Sequence, residues 1–382
     1  MNHIMIIGTG LAGYMLAREF RALDQNARLT IITAREGDFY SKPQLSTALS
    51  MKRSAEDLVT IPASEMAEKL HATLLTHTVV TDVDAKNRLV HTQNGEKFSY
   101  DKLVIATGSE VIKPPLAGNA VADILSVNDL EDYAVFRNVV QGKHTIALLG
   151  AGLVGCEFAN DLSNVGYDVT VIAPAEYPID RLLPKVIATE LQQALAANGV
   201  TWHLSTMPLS VEKNGEQYIV RCDNAVTVVA DVVMSAIGIV PMTTLAESAG
   251  LRVKRGILVN RHLQTSDPHI YSLGDCAEVN GVLLFFTAPL LKCAKALAKT
   301  LAGENTPVEY PCMPVALKTP ACPIVVQTPP QDIDGDWQVT KEEDGMRALF
   351  YDGNRKLRGF VLSGKRVQER TALQKEIPPL FE

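Results

Sequence analysis

The sequence predicts an α/β fold with two Rossmann-like dinucleotide-binding domains and a small α/β C-terminal domain. Three observations predict it. A unit of strand, glycine turn, helix and strand occurs twice in the 382 residues. Each copy leads into alternating, hairpin-like sequence and a closing apolar strand. After about residue 311 the chain holds several short strand-like pieces and no third copy.

The first copy, Ile4–Ala34, reads IMIIGTGLAGYMLAREF…LTIITA, and the second, Ile146–Pro174, reads IALLGAGLVGCEFANDL…VTVIAP. Gly8, Gly10 and Gly13 recur as Gly150, Gly152 and Gly155. In a G-x-G-x-x-G turn the first glycine permits the tight bend. The second lets backbone approach a pyrophosphate, and the third lets the helix pack close to the strand. The helix start then offers unpaired N–H groups and a positive dipole end to phosphate. Two fingerprints imply two dinucleotides, or one dinucleotide and a decayed site.

The acid that usually holds a ribose 2′-OH, about twenty residues past the last glycine, is missing. Thr33, Ala34 and Arg35 stand there in the first copy, and Ala173, Pro174 and Ala175 in the second. Glu36 and Glu176 come slightly later. That acid therefore does not choose between NADH and NADPH. No arginine cluster follows the second fingerprint, Arg181 being the nearest, so NADH is the expected donor.

Phe39–Ser50 reads as a polar, loop-like stretch. Leu74–Leu103 alternates apolar and polar residues around turns such as Asn94-Gly95, so it reads as antiparallel strands. Tyr100–Ser109 is a buried strand ending in a glycine turn, and Val232–Pro241 matches it in the second half. Ile257–Ala277 leads through a Leu-Gly-Asp turn to an apolar helix at about Pro289–Leu301. The tail adds strand-like pieces at Pro323–Gln327, Trp337–Thr340, Ala348–Tyr351 and Gly359–Leu362, then a final helical turn.

Composition excludes several classes. Hydrophobic residues make up 47% and charged residues 21%, enough for large cores and unlike a disordered chain. The net charge of −7 argues against nucleic acid and anionic membrane as bulk partners. The longest nearly apolar stretch, Val282–Leu291, is too short to span a bilayer, and the start reads as a strand rather than a signal peptide. Six scattered cysteines form no C-x-x-C pair, which suits a reduced, cytoplasmic chain. The eight histidines show no metal-ligand spacing.

GTGLAG, YSKPQLS, YDKLVIATGS, LLGAGLVGCEFANDL, SAIGIVP and TSDPHIYSLGDCAEV follow one another along the chain. Together they resemble the FAD-dependent pyridine-nucleotide-disulfide oxidoreductase superfamily over nearly the whole length. The short C-terminal domain and VALKTPACP (Val315–Pro323) most resemble the NAD(P)H-dependent rubredoxin reductases. The ferredoxin-type reductases of aromatic dioxygenases and the reductases of flavorubredoxin are the nearest cousins. One departure is informative. Ser41–Ser54, where the disulfide reductases carry a cysteine pair and the NADH peroxidases one cysteine, has none and carries Lys42 instead. Electrons should therefore leave the flavin directly for an external acceptor.

The resemblance implies hydride transfer from NADH to FAD, then two single-electron transfers to rubredoxin, feeding an alkane hydroxylase. The alternatives are a reductase for a [2Fe–2S] ferredoxin of an oxygenase or for flavorubredoxin. A nucleotide-bound regulatory protein like apoptosis-inducing factor is a third reading. By resemblance, Thr9, Gly10, Leu11, Ala12 and Gly13 would wrap the FAD pyrophosphate, and Thr107 and Gly108 would end a strand against FAD. Arg35 would lie along the adenosine or be a solvated cation. Val80 would meet adenine through its backbone or be plain core. Asp275 would hold the ribityl chain, and Thr287 would precede a helix aimed at the flavin pyrimidine. Lys42, Pro43 and Lys318 lie in stretches like flavin-contacting segments, where a lysine cation would tune the flavin. Gly150, Gly152 and Gly155 would cradle the NADH pyrophosphate. Glu157 would contact nicotinamide or flavin, or simply be an acid near a helix start. No residue is assigned as acid or base, and no metal is expected.

The resemblance implies an FAD-binding domain from residues 1–109 and 240–310, an inserted NAD(P)H-binding domain, 110–239, and a C-terminal interface domain, 311–382. A monomer or weak dimer is expected. Residues 353–370 carry Arg355, Lys356, Arg358, Lys365, Arg366 and Arg370 against Glu369 alone. That stretch would steer association with rubredoxin, whose family members are generally acidic, or be a solvated strand face.

Overall fold

The computed structural model describes residues 2–330 and 332–381. Five parallel strands form the first sheet, in the order Ile270–Ser272, Lys102–Ile105, His3–Ile7, Arg28–Ile32, Thr73–Leu75. Parallel strands covered on both faces read as continuous apolar runs. Ile4, Met5 and Ile6 are accordingly fully buried. The helix Leu11–Leu23 covers one face, packing Tyr14, Leu16, Ala17 and Phe20 inward.

The second sheet repeats the plan with four parallel strands, Thr201–His203, Asp168–Ile172, Thr145–Leu149 and Val232–Ser235. The helix Leu153–Asn164 covers it and buries Phe158 and Leu162. Each half also carries a three-stranded antiparallel meander. The first is Val80–Asp84, Leu89–Thr92, Lys97–Ser99; the second is Pro208–Asn214, Gln217–Cys222, Thr227–Ala230. Two short strands, Ser109–Val111 and Ile239–Pro241, pair antiparallel where the chain leaves the first half and returns to it.

The C-terminal sheet is antiparallel, ordered Val315–Ala316, Ile324–Gln327, Leu357–Ser363, Gly345–Asp352, Gly335–Glu342. Its inner residues Ile324, Val326, Ala348 and Val361 share one core with Ile146, Leu148 and Phe158 of the second half. The third domain is therefore packed onto the second sheet's layer.

Four expectations shift. The stretch from Phe39 is not loop-like: it forms a short strand, Phe39–Tyr40, and a 3-10 helix, Lys42–Thr47. Pro43 sits in that helix's first turn, where its fixed φ and missing N–H carry no penalty. The antiparallel strands expected over Leu74–Leu103 begin only at Val80, and the two ends of that stretch, in Thr73–Leu75 and Lys102–Ile105, join the parallel sheet instead. The apolar helix begins two residues early, at Thr287, with Pro289 again in the first turn.

The fourth is the basic stretch, which the fold divides. The strand Leu357–Ser363 has 7 residues and so spans about 20 Å. Arg355 and Lys356 precede one end of it; Lys365, Arg366 and Arg370 follow the other. Arg358 is spent on Asp352, and Arg366 on Glu342, Asp344 and Glu369. A single basic face does not form.

Candidate active site

Both glycine turns are built as the spacing requires. Gly8 and Gly150 adopt φ of +116° and +107°, a region L side chains avoid. A Cβ on Gly13 would sit 2.0 Å from the Gly8 carbonyl oxygen, and one on Gly155 would sit 2.2 Å from that of Gly150. Gly10 and Gly152 face open space. They are the caps of the helices Leu11–Leu23 and Leu153–Asn164, and neither helix start has a side-chain cap. The helix Thr287–Leu301 also starts uncapped, after Phe286.

All three helix starts open on one continuous cavity of about 2070 Å³. A site for one drug-sized molecule is about 300–1,000 Å³, so this volume suits two large ligands. Among the residues singled out from sequence, Thr9, Gly10, Leu11, Ala12, Arg35, Lys42, Pro43, Val80, Thr107 and Gly108 line it. So do Gly150, Gly152, Glu157, Asp275, Thr287 and Lys318. Gly13 and Gly155 do not: they lie behind the wall and permit close helix–strand packing. That is the packing role the fingerprint gives its third glycine.

On the cavity wall is a largely buried polar cluster. Glu157, 1% exposed, accepts at Oε2 from Ser46 Oγ (2.7 Å) and forms an ion pair with Lys318 Nζ. Its Oε1 accepts the Lys318 backbone N–H at 3.1 Å. Lys318 Nζ also donates to Ser46 Oγ at 2.7 Å. Further along the same helix, Asn160 accepts the Ala321 N–H at 3.2 Å. Asp161 accepts the Leu49 and Ser50 N–H groups at 3.0 and 3.1 Å. Burial pushes the Asp161 carboxyl up and the bonds from Ser50 and Leu49 pull it down, the balance lying above the ordinary value. One helix face thus ties the second half to the 3-10 helix of the first and to the third domain.

Lys42 stands apart from this cluster. Burial lowers its pKa, and Asp275, Asp129 and Asp132 oppose that from a distance. Asp275 accepts from Ser109 Oγ at 2.8 Å. Thr9 Oγ1 donates to Thr33 Oγ1 at 2.9 Å, and Thr107 Oγ1 to the Met242 carbonyl at 3.2 Å. Arg35 pairs with Asp129 at 3.1 Å and with Glu131, so its cation bridges the first half to the helix Leu130–Val140.

The cysteines are all free. Burial pushes Cys156 and Cys276 up, and raises Cys293 to about 11 and Cys312 and Cys322 to about 12. Such thiols stay protonated near neutral pH and make poor nucleophiles. Among the described residues no group of three or more His, Cys, Asp or Glu could hold a metal ion. No helix among them is long and apolar enough to cross a membrane.

Ser46, Ser109, Asn160 and Asp161 were not singled out from sequence. Ser46 could have been found once Lys42-Pro43 was read as a helix start. The others act through partners 111 or more residues away, which no local pattern encodes.

The fold and site define a two-nucleotide oxidoreductase, with paired glycine cradles on one cavity and no reactive thiol pair. The chain belongs to the pyridine nucleotide-disulphide oxidoreductase family, whose model matches residues 2–297. A second model, the rubredoxin binding C-terminal domain, matches residues 307–377. The chain is 43% identical over the full length of both chains to a rubredoxin-NAD(+) reductase of Alcanivorax borkumensis. It is 44% identical to the enzyme of that name from Acinetobacter baylyi, covering 100% of this chain and 99% of the relative. The solved putidaredoxin reductase–putidaredoxin complex matches with a TM-score of 0.89 at 24% identity, over 99% of this chain and 94% of that one. The NADH:rubredoxin oxidoreductase of Clostridium acetobutylicum matches with a TM-score of 0.80 at 24% identity, over 98% and 94%. These two structures speak to the fold. The cradles and the cavity volume fit this family's cofactors, FAD and NADH.

Proposed function

We propose that this protein takes electrons from NADH and passes them to rubredoxin, with FAD as its bound cofactor. One observation carries the proposal. Met313, Pro314, Val315, Ala316 and Lys318, in the part of the chain matching a rubredoxin-binding domain, form a wall of the cavity that holds both cradles. Donor site and partner-binding domain therefore meet at one place.

A bound flavin supplies the coupling between a two-electron donor and a one-electron acceptor. The chain's own residues bind and tune. Gly8–Ala12 and the first helix start would hold the FAD pyrophosphate; Gly150, Gly152 and the second would hold that of NADH. Asp275 would hold the ribityl chain, and Val80 and Arg35 would flank the adenosine. Lys42 and Lys318 would place positive charge beside the isoalloxazine, Glu157 fixing the latter. Thr287 would start the helix aimed at its pyrimidine end.

In this reading residues 1–109 and 240–310 form the FAD domain, 110–239 the NADH domain and 311–382 the interface domain. An alkane hydroxylase as consumer of the reduced rubredoxin is proposed on the resemblance alone. A cytoplasmic monomer or weak dimer completes the reading, its six free thiols suiting a reducing compartment.

Steady-state NADH oxidation with a panel of rubredoxins and [2Fe–2S] ferredoxins tests the proposal. Turnover should be far higher with rubredoxin. Equal or higher turnover with a ferredoxin would transfer the assignment to the alternative.

A further inference from the structure

Among the described residues one edge of the C-terminal sheet reaches the cavity: Val315 and Ala316 line it, and they form the edge strand. The opposite edge, Gly335–Glu342, is four strands away. At about 4.8 Å per strand that is about 19 Å further from the cavity. Electron tunnelling decays exponentially with distance, so a partner seated on the far edge would be reduced too slowly to serve. The turn carrying Arg355 and Lys356 is disfavoured likewise: Val315 is in register through Val326 with Val361, and Lys356 lies five residues further along that strand, about 17 Å.

Beside the near edge is a second hollow, of about 440 Å³, lined by Ala316, Leu317, Pro323, Ile324 and Val325 and by Val367, Gln368, Arg370 and Thr371. Ala316 belongs to both hollows, so one strand is their common wall. The floor is apolar and the rim is polar, an arrangement typical of protein interfaces. Arg370 is exposed on that rim and has no ion pair among the described residues. Arg366, one turn earlier, is held by Glu342, Asp344 and Glu369 and is not free to meet a partner.

We propose that this second hollow, with Arg370 as its free cation, is the seat of rubredoxin. The proposal rests on the function proposed above and names the face that function uses. A small acidic protein approaching a chain of net charge −7 is repelled as a whole, so an unpaired local cation at the docking point decides where it settles. The hollow would receive an apolar protrusion of the partner, and the shared wall would bring its iron–thiolate centre close to the cavity.

The test compares wild type, Arg370→Glu, Thr371→Trp and Lys356→Glu as FAD-loaded proteins, with a rubredoxin and with ferricyanide as acceptors. Arg370→Glu should lower kcat/KM for rubredoxin about tenfold at low salt, and the deficit should shrink as salt rises. Thr371→Trp should lower it with little change in salt dependence. Lys356→Glu should behave as wild type, and all should reduce ferricyanide normally. If wild type reduces rubredoxin and Arg370→Glu and Thr371→Trp do so equally well, the seat is overturned and the function stands. If Lys356→Glu is the slow variant, the seat lies at the other end of the sheet. If wild type reduces ferricyanide but no rubredoxin, the function itself fails, and the seat with it.

Discussion

Glu157 and Lys318, 161 residues apart, close on one another twice: side chain to side chain, and Lys318 N–H to Glu157 Oε1 at 3.1 Å. The acid comes from the second fingerprint helix and the base from the third domain, so the pair joins two modules at the cavity wall. Glu157 is 1% exposed and the Lys318 side chain 34%. Removing one member of a buried pair costs about 3–5 kcal/mol, because the other charge is left uncompensated. Lys318 reaches solvent, so the discounted expectation for Lys318→Met is about 1–3 kcal/mol. Glu157→Gln/Lys318→Met should recover much of it. Urea unfolding of the single and double variants measures this. A double variant as unstable as the sum of the singles would show that the pair does not act as a unit.

The two kinds of fingerprint glycine should fail differently. Gly13→Ala drives a Cβ against the Gly8 carbonyl, backbone on backbone. That overpacking should cost about 3 kcal/mol or more and show as a lower melting temperature even without FAD. Gly10→Ala meets no protein atom within 4 Å, so the fold should survive. Its methyl would occupy cavity space, so FAD affinity should fall. Thermal melts of the apoproteins and FAD titrations separate the two, and similar apoprotein melts for both variants would refute the distinction.

The fold was legible because its signals are local. Gly8-x-Gly10-x-x-Gly13 and its copy each announce a strand, a turn and a helix within a dozen residues. Asn94-Gly95 announces a hairpin, and the meander around it is there. The cavity-lining residues near those turns were legible for the same reason. What was not legible is pairing across the chain. Nothing near Asp161 points to Leu49 and Ser50, and nothing near Arg366 says that three carboxylates take its charge. Counting charges along 353–370 overstated a basic face, because a seven-residue strand separates its two ends. Lys42-Pro43 was a readable helix start, lost because the polar residues after it look like a loop.

Asp161 gives a test of positioning at a distance. Its carboxylate accepts two adjacent backbone N–H groups just beyond the 3-10 helix that carries Lys42 and Ser46. Asn in its place would turn an N–H₂ toward one of those donors. Asp161→Asn should destabilise the protein by about 1–3 kcal/mol and loosen the segment holding Lys42. Removing the cation in Lys42→Met should lower the flavin potential, and loss of its position in Asp161→Asn should shift it the same way. Spectroelectrochemical titration of both variants decides. An unstable Asp161→Asn protein with a wild-type potential would reduce the residue to a structural role.

Asp231 supplies a pH dependence whose sign is fixed by its bonds. Its Oδ2 accepts the N–H groups of Thr145 and His144 at 3.0 and 2.9 Å, and Gln217 Nε2 donates to Oδ1 at 3.1 Å. These bonds favour the ionised form, led by that from Thr145, and hold the carboxyl well below the ordinary carboxylate range. They lock the start of the strand Thr145–Leu149 to the start of Val232–Ser235 in the second sheet. A carboxylate whose folded pKa lies below its unfolded value, near 3.9, adds stability that is fully present above that value. That stability is lost as pH falls through the folded pKa. Asp231→Asn keeps an acceptor but removes the charge, so the loss at neutral pH should be about 1 kcal/mol in this partly exposed site. The gap between wild type and variant should be constant above about pH 5 and narrow steadily below pH 4. Urea unfolding from pH 7 to pH 2.5 measures it, and a gap that stayed constant to the acid end would mean the charge of Asp231 contributes nothing to the fold.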